Sequence, residues 1–108
     1  MPTYNKLVRD KIPQVIEKSG LQFKTRILSE EEYQAEVVKK LTEELQEFQE
    51  ANNPKDAIGE LADILELIHA VAEINGSSFE QVEEVRVKKA EKRGGFKERI
   101  FLIEVEDE

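Results

Sequence analysis

The sequence predicts an all-α fold, an antiparallel bundle of helices, on three observations. Two long stretches, 30–51 and 55–74, repeat their apolar residues at helical spacing. Asn52-Asn53-Pro54 stands between them as a tight break that turns the second stretch back along the first. Ser29, a helix-capping residue, sits where the first stretch should begin.

The elements follow in order. Asp10 is placed to cap a short helix through Pro13, Val15 and Ile16, with Pro13 in the first turn, where proline is tolerated, and Gly20 ending it. Gln22 to Leu28 alternates weakly, with Phe23, Thr25 and Ile27 on one side, and reads as a short strand. Ser29 followed by Glu30, Glu31 and Glu32 is a cap with acids in the first turn, and opens the longest helix. After the return helix, Asn75-Gly76-Ser77-Ser78 ends one element and caps the next. There Phe79, Val82, Val85 and Ala90 form an apolar stripe as far as Arg93, and Gly94-Gly95 stops it. The tail Ile100 to Val105 is β-prone, so residues 99–105 can pair with 22–28 as a small two-stranded ribbon beside the bundle. No repeat, low-complexity tract or linker interrupts residues 1–108, which read as one domain.

Composition excludes several functions. With 24 acids against 16 bases the formal charge is −8, which disfavours a nucleic acid polymer as partner but allows a small anion bridged by metal. The chain has no cysteine, so disulfides, thiolate catalysis and cysteine zinc sites are out. No apolar run approaches membrane-spanning length and the first residues do not resemble a signal peptide; the expectation is a cytoplasmic protein without a membrane partner.

Four carboxylates carry the chemistry. Glu44 and Glu47 lie three apart on the first long helix, Glu60 and Asp63 three apart on the second, so each pair faces one way and can grip a hard cation. On a helical wheel Tyr33, Val37, Leu41, Leu45 and Phe48 fill an apolar arc that contains Glu44 and has Glu47 at its edge. On the return helix Leu61, Ile64, Leu65, Leu67, Ile68, Val71 and Ile74 make a wider arc. Glu60 falls inside it, and Asp63 lies between Ala70 and Ile74. An ionised carboxylate on a core-facing stripe is costly unless it is paired or binds a metal. Glu66 and Glu73 fall on the polar side, where an acid needs no explanation. Hard oxygen ligands favour magnesium, or manganese, over zinc.

Basic residues flank the acids. Lys6, Arg9 and Lys11 stand early; Lys88, Lys89, Lys92, Arg93 and Lys97 surround Gly94-Gly95. Either group can clamp phosphates, and either can be ordinary surface or helix-end charge. Lys40 is placed to pair with the acids one turn on or to touch substrate. His69, the only histidine, falls at the far edge of the apolar arc and reads as a half-buried structural residue. Phe96 is open to stacking on a base or to packing on the bundle.

At these residues the chain resembles a known family. Glu43-Glu44-x-x-Glu47, a spacer of 12 residues, then Glu60-x-x-Asp63 are similar to the signature of MazG-like all-α nucleoside triphosphate pyrophosphohydrolases. The opening Tyr4-Asn5-Lys6-Leu7-Val8-Arg9-Asp10-Lys11-Ile12-Pro13 and the late Lys92-Arg93-Gly94-Gly95-Phe96 resemble a branch labelled phosphoribosyl-ATP pyrophosphohydrolase-like. The resemblance implies a MazG-like bundle and magnesium-dependent cleavage of the α–β phosphoanhydride of a nucleotide. It implies Glu44, Glu47, Glu60 and Asp63 as metal ligands, with Glu43, Glu44 and Glu47 catalytic and Glu43 orienting water or a ligand. It also implies a homodimer or homotetramer of antiparallel helices. Three functions stay open: a housecleaning nucleoside triphosphate pyrophosphohydrolase, the phosphoribosyl-ATP enzyme of histidine biosynthesis, and a non-catalytic helical dimerisation or nucleotide-sensing module.

Overall fold

The computed structural model describes residues 2–107, among which there are four helices and no strand: α1 Ile12–Lys18, α2 Glu30–Glu50, α3 Pro54–Ile74 and α4 Phe79–Arg93. None of the helices is long and apolar enough to cross a membrane.

The start of α2 is locked by a reciprocal cap. The Ser29 hydroxyl accepts from the Glu32 N–H at 3.2 Å while the Glu32 carboxylate accepts from the Ser29 N–H at 3.1 Å. Arg26 adds a two-pronged contact to the same carboxylate at 3.1 and 2.7 Å. The Arg26 hydrogen bonds, joined by the Ser29 N–H, hold the Glu32 carboxyl down at about 2.

Between the long helices, Ala51 leaves helical geometry and Asn53 caps α3 by accepting from the Asp56 N–H at 2.9 Å, with Pro54 in the first turn. At the far end Gly76 takes φ 71°, a left-handed conformation open to glycine, and lets the Ser77 N–H reach back to the Ala72 carbonyl at 2.9 Å. Ser78 then caps α4 through the Gln81 N–H.

Two expectations fail. Asp10 does not cap α1; the N-cap position belongs to Lys11, in helical geometry and without a side-chain cap bond. A turn from Arg9 to Ile12 runs straight into the helix, and a helical N-cap backbone does not present the extended geometry that side-chain capping uses. The ribbon of 22–28 with 99–105 is also absent, since no backbone hydrogen bond joins the two segments. The tail is redirected by a turn in which the Arg99 N–H bonds the Phe96 carbonyl and Arg99 takes φ 58°, so strand propensity alone did not bring the partners together.

Packing is dominated by the α2–α3 hairpin, while α4 meets α3 less extensively and α1 packs on no other helix. At the α3–α4 junction the His69 and Phe79 rings stack with centroids 4.0 Å apart, which gives the half-buried histidine its structural role. Among the described residues only two apolar side chains are buried outright, Val37 at 0% exposure and Ala72. The radius of gyration is 18.6 Å, against about 13 Å for a compact chain of this length. Likewise the surface is 10293 Å², against about 6,200 Å² for a compact monomer of this mass. One copy does not enclose a core.

Candidate metal centre

Because the hairpin folds at Ala51–Asn53, residues a similar distance from the turn on α2 and α3 come face to face. Glu44 and Glu47 on α2 thereby meet Glu60 on α3, with one carboxylate oxygen from each lying within 4.8 Å of the others. These are side chains whose mutual repulsion should drive them apart.

Glu44 is the centre of the group. It is 6% exposed, the one buried charged residue among those described, and sits in the arc the sequence assigned it. Its Oε2 is buried without a hydrogen-bond partner, and so is the Oε2 of Glu60. Burial is the largest cause pushing the Glu44 carboxyl above its ordinary range. The neighbouring Glu60 carboxylate and the charge of Asp63 act in the same direction, and the proximity of Glu47 acts against them. Glu60 is half-buried and Glu47 exposed, the order their wheel positions predict. Glu66 and Glu73 are exposed on α3, as expected.

Asp63 is half-buried beside this group but outside the cluster of three. Its Oδ1 accepts a 2.7 Å hydrogen bond from Arg9 Nη2, which ties the N-terminal segment to α3. Nothing in the sequence signals that contact, because the partners are 54 positions apart. Lys40 Nζ lies 3.7 Å from Glu44 Oε1 and 3.9 Å from Glu43 Oε2, so this lysine serves both acids one turn on.

Among the described residues no ion pair joins the other candidate cations to these acids. Lys6 rests over the Tyr4 ring at 5.7 Å, Lys11 begins α1, and Lys88 pairs with Glu84 on its own helix at 3.5 Å. Lys92 and Arg93 are exposed in the last turn of α4, where the helix dipole accounts for them. Phe96 is 97% exposed and does not pack on the bundle. Two shallow concavities, beside Phe23 and beside Val85, are lined by none of the acids.

The residues present fit a divalent cation. All donors are carboxylate oxygens, and two buried oxygens without a partner mark where positive charge is missing. Comparison with family profiles, with curated proteins and with solved structures finds no significant match to this chain.

Proposed function

We propose that this chain is a magnesium-dependent nucleotide pyrophosphohydrolase, with a MazG-like bundle, that cleaves the α–β phosphoanhydride of a nucleoside triphosphate to a monophosphate and pyrophosphate in a housecleaning role. The observation that carries the reading is the pair of buried, partnerless oxygens of Glu44 and Glu60 within an all-carboxylate cluster on facing helices. The ligands are Glu44, Glu47, Glu60 and Asp63. When bound, magnesium supplies charge to phosphate oxygens and acidifies water.

The chain's own residues do the rest. Glu43, next to Glu44 on α2 and held by Lys40, orients water or a ligand. Arg9 can exchange the Asp63 carboxylate for a phosphate oxygen, since a guanidinium matches both. Lys40, Lys6 and Lys11 add positive charge from the α2 and N-terminal sides. Lys88, Lys92 and Arg93 lie on α4 and are further candidate cations for the phosphates. A cytoplasmic homodimer or homotetramer follows from the same reading, with the apolar faces of α2 and α3 at the interface. The alternative readings are the phosphoribosyl-ATP enzyme of histidine biosynthesis and a non-catalytic helical dimerisation or nucleotide-sensing module.

A nucleotide panel that includes phosphoribosyl-ATP, scored for pyrophosphate release with magnesium, separates these readings. In ¹⁸O-labelled water the label should enter the monophosphate. Orthophosphate with a diphosphate as first products would refute α-phosphorus attack, and no turnover of any nucleotide would leave the sensing module.

A further inference from the structure

We infer that the C-terminal segment is an exchanged arm: residues 102–106 of one copy pair as an antiparallel strand with residues 24–28 of a second copy, and reciprocally. Neither segment is helical, and neither makes a backbone hydrogen bond to another part of the chain. The tail nevertheless carries Ile100, Phe101, Leu102, Ile103 and Val105, all strongly exposed, and Ile27 opposite is 95% exposed. Open strand edges with this much apolar surface are templates for pairing.

The two segments match residue by residue in one register. Lys24 falls opposite Glu106, Thr25 opposite Val105, Arg26 opposite Glu104, Ile27 opposite Ile103 and Leu28 opposite Leu102. Two charge pairs and the Leu28–Leu102 pair thus share one face, and β-branched side chain meets β-branched side chain on the other, the cross-strand pairs that stabilise a sheet. A slip of one residue puts Lys24 beside Val105 and Arg26 beside Ile103. A further slip in the same direction puts Arg26 beside Leu102, and a slip of two in the opposite direction puts Leu28 beside Glu104 and Thr25 beside Asp107, so the first register matches the most side chains. Arg26 binds Glu32 through Nη1 and Nη2, which leaves its Nε edge for Glu104.

The occupant is a second copy because the surface requires more than one helical interface can take up. The chain exposes 10293 Å², about 4,100 Å² more than a compact monomer of its mass. An obligate homodimer buries roughly 1,000–2,500 Å² per partner. Exchange of arms forms the same ribbon twice under one two-fold axis, linking two ribbons that would each be marginal alone. This ribbon is separate from the α2–α3 interface of the proposed function: a dimer whose tail amides exchange freely overturns the arm alone, whereas a monomer overturns both the arm and the proposed oligomer.

Sedimentation and amide exchange on the full chain test the arm. At micromolar concentration the chain should be a dimer with amides of 102–106 protected. Ile103→Asp alters a side chain 84% exposed in the single copy, so folding should be unaffected while dimer affinity falls about 100-fold. Lys24→Glu alone and Glu106→Lys alone should each weaken the dimer about tenfold, and mixing the two variants should restore it as a heterodimer. A monomeric full chain, a dimer in which these amides exchange freely, undiminished dimerisation of Ile103→Asp, or no rescue on mixing would each overturn the arm. A monomer with a protected tail would show the ribbon closing within one chain and overturn it as well.

Discussion

Glu44→Gln should stabilise the metal-free protein while removing its response to magnesium. Glu44 is 6% exposed with one oxygen lacking any partner, and Glu60 and Asp63 add like charge beside it. Leaving a buried charged group unsatisfied costs about 1–3 kcal/mol. Glutamine has nearly the same volume, carries no charge and offers an N–H toward the Glu60 carboxylate. In chelator at pH 8 the variant should therefore gain about 1–2 kcal/mol, and each kcal/mol is worth about 4 °C or more in Tm for a chain of this size.

The pH dependence has a defined sign. The Glu44 carboxyl titrates higher when folded than when unfolded. Its contribution is therefore favourable below the ordinary carboxylate range and is lost as pH rises through the raised value. The advantage of Glu44→Gln should vanish near pH 4 and grow above it. With magnesium at 100 times its Kd the wild type should gain about 2.7 kcal/mol and the variant little. Thermal unfolding at one fixed protomer concentration, with chelator and then with magnesium, reads both effects. A variant less stable than wild type in chelator at pH 8, or equal gains from magnesium in both proteins, would refute the reasoning.

Other perturbations follow from the same geometry. Glu60→Gln should mimic Glu44→Gln in calorimetric magnesium titration, whereas Glu66→Gln, exposed on α3, should change stability by less than about 0.5 kcal/mol and leave binding intact. Arg9→Gln frees Asp63 from an internal cation; if Asp63 is a ligand, magnesium affinity should rise about 1.5- to 5-fold, the range of a surface ion pair, and an unchanged affinity would remove Asp63 from the ligand set. Ser29→Ala breaks the reciprocal cap of α2 and should cost about 0.5–2 kcal/mol in chemical denaturation. Val37→Ala truncates the one side chain that is fully buried among the described residues and should cost roughly 1–3 kcal/mol, with a smaller loss showing that the site collapses.

Local chemistry made most of the helical scaffold legible. Ser29, Asn53-Pro54 and Ser78 set their own helix starts through side-chain and φ constraints that act over three or four residues. Wheel positions ranked the burial of Glu44, Glu60 and Glu47 correctly because the arcs of α2 and α3 face each other across a tight turn. The same arcs misjudged Leu45, Leu61 and Leu65, which remain substantially exposed because one neighbouring helix covers only part of each stripe.

What the sequence by itself determined is therefore the set of helices, the return of α3 along α2 and the meeting of three acids, all consequences of contacts between near neighbours or across one short turn. Tertiary structure alone decided that Arg9 would cross 54 positions to Asp63 and that 22–28 and 99–105 would remain unpaired. Those outcomes depend on where whole segments lie relative to one another. Long-range placement balances loop-closure entropy against a few contacts, and neither propensity nor periodicity encodes that balance.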